Sequence, residues 1–203
     1  SGISAYISGI LGLGNLVTTN SSACCTGTEA IITGFERIQS GKAKRMLVGG
    51  CSDDGPYLWG GFDAMKVITY KHNNTPEKAS RPMSATASGF VPGSGAGALL
   101  LESLTSATER GAKIYGEIVG GAMNAGGQRG TGSMTAPNNE AVQRCIKSAV
   151  ENAGINADEI DLINGHLTAT IKDAAEINNW SVALNRKGNN FPYIHSLKAM
   201  TGH

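Results

Sequence analysis

Asn15-Leu16-Val17-Thr18-Thr19-Asn20-Ser21-Ser22-Ala23-Cys24 is the stretch on which the reading of this chain turns. Residues 15–19 predict a short strand and 20–23 a turn of small residues. Apolar positions at Ile31, Ile32, Phe35 and Ile38 then predict a helix that opens near Cys24 and stops at Gly41. Thr26 and Glu29 have the spacing of a capping box, which sets the helix start within two residues of Cys24. Residues 190–194 repeat this grammar: a strand, then small residues, then His203. Both units place a reactive side chain where a helix should begin, which hints at two related halves.

Outward from these units, strands and helices alternate. Residues 46–48 and 95–101 predict strands beside glycine clusters, 73–82 a surface loop, and 103–110 a helix stopped by Gly111. Residues 114–119 predict a strand and 120–133 a flexible glycine-rich connection. The clearest helix carries Ala141, Val142, Cys145, Ile146, Ala149, Val150 and Ala153 on one stripe, capped by Asn138 or Asn139 and ended by Gly154. Residues 160–163 and 191–194 predict strands, and 173–184 a helix. Such alternation implies an α/β fold. The chain stops at Thr201-Gly202-His203 with no closing helix, the pattern expected of a partial chain.

Composition narrows the function. The 203 residues include 28 glycines but only 16% charged and 5% aromatic residues, with a formal net charge of +1. No basic surface or acidic tail is advertised, so nucleic acid is not an expected partner. A hydrophobic content of 40% argues against disorder. Residues 1–28 carry no charge, yet polar residues interrupt every apolar run and no basic segment precedes them. They are read as buried soluble structure, not as a signal or a membrane span. The four cysteines lack Cys-x-x-Cys spacing, so neither a metal site nor a disulfide framework is expected, and the compartment is read as cytoplasmic.

Among candidate reactive residues, Cys145 lies on a core stripe and Cys51 reads as packing at a strand end. Cys24 and Cys25 share a helix mouth, where amide groups and the helix dipole favour a thiolate; residue type alone does not choose between them. His72 sits in a polar loop and His195 reads as a packed strand residue. His166 and His203 each follow a predicted strand, the usual place for sites in α/β sheets. The cluster Gly93-Ser94-Gly95-Ala96-Gly97 precedes a strand instead of following one, so it is read as close packing and not as a dinucleotide loop.

Ser22-Ala23-Cys24-Cys25-Thr26-Gly27, Asn164-Gly165-His166-Leu167-Thr168-Ala169-Thr170 and Ser196-Leu197-Lys198-Ala199-Met200-Thr201-Gly202-His203 resemble, in order, three motifs of the elongating (KAS I/II) β-ketoacyl-acyl-carrier-protein synthases. Ala79-Ser80-Arg81-Pro82, Gly89-Phe90-Val91, the 93–97 cluster and Thr135-Ala136-Pro137 match as well. The resemblance implies a thiolase-like α-β-α-β-α sandwich of two related halves, incomplete at both ends, with residues 1–111 in one half and 112–203 in the other. It implies that Cys24 is the nucleophile, that His166 and His203 assist decarboxylation of malonyl-carrier protein, and that Lys198 tunes them. By the same resemblance, Thr168 and Thr170 would contact the phosphopantetheine arm, and Glu176 would organise the region. It further implies acyl carrier protein as partner, a homodimer, no cofactor beyond the carrier's own arm, and no complete turnover by these residues alone. Departures are Leu167 in place of Gly, Asp173 one residue early, residues 84–89 in place of D-x-x-R-D-G, and Ser94 in place of Glu. A non-catalytic chain-length factor or a biosynthetic thiolase are the alternatives; the retained Cys24 argues against the first and the Lys198 to His203 context against the second.

Overall fold

Residues 2–127 and 138–203 are described in the computed structural model of the chain. Their contacts separate into two units, Ser1–Cys51 with Ala96–Ile118 and Ser52–Gly95 with Val119–His203.

In the first unit, α1 spans Ile3–Leu11, a 3-10 turn covers Ala23–Cys25, and α2 runs Thr26–Gln39. The strands β1 (Arg45–Ser52) and β2 (Gly95–Glu102) pair, and both carry the unit borders at their ends. Glycine permits this packing. A Cβ on Gly34 of α2 would lie 2.5 Å from Val48, and one on Gly49 of β1 only 2.2 Å from the Gly97 carbonyl. Two arginines close the end of the pair. Glu102 receives Arg45 Nε at 2.5 Å and Arg110 Nη2 at 2.7 Å, and these bonds, Arg110's first, hold its carboxyl well below the usual range, at about 2.

Three expectations fail here. Residues 15–19 form no strand. Asn15 has its amide groups engaged, donating to the Lys42 carbonyl at 2.9 Å and accepting from Arg37 at 2.9 Å and from the Leu16 N–H at 2.8 Å. The described part of the uncharged stretch, residues 2–28, is mainly exposed instead of buried; α1 has no buried residue, and Ile10 is 80% exposed. Lack of charge does not bury a segment unless another element faces it. Residues 114–119 likewise form no strand.

The second unit holds α3 (Pro56–Ala64), which the sequence reading did not anticipate, and a 3-10 turn at Pro76–Lys78 within the expected surface loop. The helix α4 (Leu104–Glu109) belongs to the first unit and is capped by the Ser103 hydroxyl. Next come α5 (Asn139–Ala153), β3 (Leu162–Asn164), α6 (Asp173–Leu184), β4 (Tyr193–His195) and α7 (Lys198–Thr201). Asn138 caps α5 by accepting from the Ala141 N–H, and Gly154 ends it in the left-handed region at φ 66°. The segment leading into α5 is tied to it: Gly121 donates to Asn152 Oδ1 at 3.1 Å and Cys145 Sγ to the Ala122 carbonyl at 3.3 Å. Residues 128–133 of the glycine-rich connection, and Thr135 to Pro137 with them, lie outside the described residues.

The core of this unit is Ile146 of α5, Ile163 of β3 and Leu184 of α6, with Trp180, Phe191 and Ile194 packed around them. Full burial of such side chains contributes about 1.5–3 kcal/mol each. Among the described residues no helix is long and apolar enough to cross a membrane. Ile163, 3% exposed, joins helices and strands in this core. Ile163→Ala is therefore expected to lower unfolding stability by about 2–5 kcal/mol in a urea titration, while Ile10→Ala on exposed α1 should change it by less than about 0.5 kcal/mol.

Candidate active site

The strands β3 and β4 are parallel, with Leu162 opposite Tyr193, Ile163 opposite Ile194 and Asn164 opposite His195. The Gly165 N–H donates to the His195 carbonyl at 2.8 Å, carrying the pairing one step past β3. Both strands thus release their following loops at the same edge. One loop carries His166 and the other ends in His203. The two imidazoles meet edge to face, with centroids 4.8 Å apart and planes at 85°. Phe90 meets His203 in the same way at 4.9 Å, and Phe62 meets Phe90 at 5.0 Å.

Two carboxylates in the first turn of α6 hold the His166 loop by its backbone. Glu176 accepts the His166 N–H at 2.6 Å on one oxygen and the Leu167 N–H at 2.8 Å on the other. Asp173, buried, accepts the Thr168 and Thr170 N–H groups at 3.0 and 3.3 Å, and its second oxygen takes the Met83 N–H at 2.8 Å. Charge-assisted bonds of this kind are about twice as strong as neutral ones. They stabilise a strained path, because Ala169 is fully buried at φ 63°. Leu167 is also fully buried, and a Cβ on Gly165 would lie 2.8 Å from its side chain.

The second loop is fixed independently. Buried Ser196 donates its hydroxyl to the Leu167 carbonyl at 3.0 Å and accepts the Lys198 N–H at 3.3 Å, which links the two loops. The Ser80 hydroxyl bonds the Lys198 carbonyl. His203 donates its N–H to the Val91 carbonyl and accepts from the Gly93 N–H, both at 2.8 Å. Gly202 must be glycine, since φ is 73° and a Cβ would sit 2.6 Å from the Val91 carbonyl oxygen.

Electrostatics keep both rings neutral near pH 7. Burial first, then the charges of His166 and Lys198, bring His203 down to about 4. His166 retains some exposed surface, but crowding by the surrounding atoms and then the Lys198 charge place it below the ordinary histidine value, against the pull of Glu176 and Asp173. Thr168 is buried and Thr170 half-buried, and their hydroxyls lie 3.2 Å apart.

His166, His203, Lys198, Thr168, Thr170 and Glu176 thus all belong to the second unit, whereas Cys24 belongs to the first. Cys24 is exposed in the 3-10 turn that leads directly into α2. Cys51, read as packing, is exposed, because it lies on the outward end of β1. His72 is half-buried instead of solvated, within reach of Thr75 and Arg81. The sequence reading quoted Asp173, Ser196 and Phe90 within its motifs but gave none of them a role at the site. Asp173 had a usable signal: two carboxylates three residues apart at a helix start, just after a His-bearing loop.

The Beta-ketoacyl synthase, N-terminal domain, model matches residues 1–107, and the Beta-ketoacyl synthase, C-terminal domain, model matches residues 115–203. The chain belongs to the β-ketoacyl synthase family. It is 40% identical over 159 residues to 3-oxoacyl-[acyl-carrier-protein] synthase 2 of Rhizobium meliloti (strain 1021), covering 77% of this chain and 37% of that one. It is 38% identical over 205 residues to 3-oxoacyl-[acyl-carrier-protein] synthase 1 of Escherichia coli (strain K12), covering 100% of this chain and 48% of that one. A solved type II PKS acyl-carrier protein in complex with its ketosynthase bound to the hexaketide (AntDE:AntF) matches with a TM-score of 0.90 at 31% identity, over 98% of this chain and 49% of that one. The chain spans about half the length of the curated relatives it matches. Its fold is the thiolase-like α/β fold of these ketosynthases.

The His203 value sets a pH dependence. Its folded value, about 4, lies below the ordinary histidine value of 6.5, so its contribution to stability is complete above 6.5 and is lost as the pH falls from there towards 4. Ring-proton NMR is expected to show His203 titrating near 4, and the His203→Asn variant should lose part of the acid-side decline in stability. A titration midpoint near 6.5 in the native protein would contradict this description of the ring's surroundings.

Proposed function

We propose that the protein is a 3-oxoacyl-[acyl-carrier-protein] synthase that elongates a fatty-acid or polyketide-like chain. The reading is carried by the pair of neutral, edge-to-face imidazoles at one strand edge, His166 and His203. Neutral rings present N–H groups to an anion without bringing a charge of their own to the resting site. Donors held in place before charge develops contribute a few kcal/mol to a transition state.

In this reading the Cys24 Sγ attacks the carbonyl of an acyl thioester on acyl carrier protein. The bond to the carrier sulfur breaks, and the thiol proton ends on the released phosphopantetheine. Malonyl-carrier protein then binds, with its arm against Thr168 and Thr170. Cleavage of its carboxylate bond releases CO2 and leaves the electron pair in an enolate, whose oxygen accepts N–H bonds from His166 and His203. The enolate carbon bonds to the acyl carbonyl and the Cys24 sulfur leaves with the electron pair. Lys198 biases both rings towards their neutral form, in line with its lowering effect on each. Glu176 positions His166 through its backbone N–H.

The same reading includes acyl carrier protein as partner, supported by the complex of the type II PKS relative. It includes a homodimer, a cytoplasmic setting, no metal, and no cofactor other than the carrier's phosphopantetheine. The two family matches, 1–107 and 115–203, support a division into halves at residues 111 and 112.

Peptide mapping after incubation with an acyl-carrier thioester should find the acyl group on Cys24, and Cys24→Ala should abolish it. A label on Cys25 would overturn the assignment. His203→Ala is expected to leave acylation of Cys24 within a few-fold while lowering condensation by roughly 10²–10³. Equal loss of both steps would remove His203 from the decarboxylation role.

A further inference from the structure

Thr26 and Glu29 have the spacing of a capping box, but in the structure they do not form one. Thr26 is the first residue of α2, and no side chain caps that helix. Both side chains reach backwards into the turn that carries Cys24. The Thr26 hydroxyl accepts the Ser22 N–H at 2.8 Å and donates to the Ala23 carbonyl at 2.8 Å. A single oxygen of half-buried Glu29, Oε2, accepts the Ser22 hydroxyl at 2.5 Å and the Asn20 amide at 2.9 Å. Between these bonds Ala23 sits at φ 49°, in the left-handed region that a residue with a Cβ occupies at a cost. The next residue is Cys24. Behind the turn, α2 lies close to β1, where a Cβ on Gly50 would stand 3.3 Å from the Gly27 Cα.

The geometry points to Glu29 and Thr26 as positioning residues for Cys24. They hold Asn20, Ser22 and Ala23 in the one arrangement that turns the chain sharply before the thiol. This inference rests on the reading of Cys24 as the acyl acceptor. Without the two anchors Ala23 relaxes to an ordinary negative φ, which rotates the Cys24 backbone and moves its Sγ. Loss of alignment of that order lowers a bond-forming rate by roughly ten- to a hundredfold.

Both Glu29 bonds fall on one oxygen, an acceptor that the side-chain amide of glutamine can also supply. Glu29→Gln, which keeps an oxygen there, is expected to acylate Cys24 at saturating acyl-carrier thioester within about twofold of the native rate. Glu29→Ala should fall roughly tenfold or more with its half-saturating concentration unchanged. Thr26→Val should behave as Glu29→Ala, and Thr26→Ser should restore the rate. In parallel, mapped alkylation by iodoacetamide reads the ratio of Cys24 to Cys25 modification, which needs no acyl donor and should shift towards Cys25 in the Ala and Val variants. If native protein alkylates Cys24 normally yet takes no acyl group, the synthase reading fails, and the alkylation ratio alone decides the positioning role. Glu29→Gln as impaired as Glu29→Ala, or a native ratio and rate in Glu29→Ala, would overturn the inference. So would parallel loss of Cys24 and Cys25 reactivity with lowered melting temperature in all four variants.

Discussion

The parallel pairing of β3 with β4 is the constraint from which the histidine geometry follows. In a parallel pair the two chains leave at the same end, so the loops that follow must run side by side. An antiparallel pair of the same residues would send them to opposite ends of the sheet. The extra bond from Gly165 to His195 holds that register into the first loop residue, immediately before His166. The core of Ile146, Ile163 and Leu184 anchors the pair from behind, so packing of α5 and α6 also fixes where the loops begin.

Beyond the strands, the same task is done by backbone hydrogen bonds to carboxylates and a hydroxyl. Asp173 and Glu176 together accept five N–H groups, four of them from the His166 loop. Ser196 ties that loop to the one preceding His203. In the first unit, Glu29 and Thr26 bind the Cys24 turn by similar means. In each case an oxygen at or beside a helix start accepts or donates the bonds that fix the loop carrying Cys24, His166 or His203.

Legibility followed the range of the forces involved. α5 was read almost to the residue, because its stripe, the Asn138 cap and the Gly154 stop are local features, and α6 was read at its observed bounds. β1 and β2 were found at their apolar centres, and β3 and β4 to within about two residues of their ends. Residues 15–19 and 114–119 were misread, because a β-forming composition needs a neighbouring backbone that the sequence does not reveal. α1 and α3 were not anticipated: α1 has Ile3, Ile7, Ile10 and Leu11 at helical spacing, but its apolar side chains stay exposed, and α3 has only a weak stripe. Of the site, the sequence showed His166 and His203 through their position after strands. It did not choose Cys24 over Cys25 except by family resemblance. Phe90 was invisible as a partner of His203, since their contact joins distant parts of the chain.

Phe62, Phe90, His203 and His166 form a file of four rings, each nearly perpendicular to the next. A ring in such a file cannot spin about its own bond without driving its edge into a neighbour's face. The imidazole of His203 is therefore held stiffly between its neighbours, with little torsional freedom left to it. Phe62, two rings away, belongs to that stiffness through Phe90.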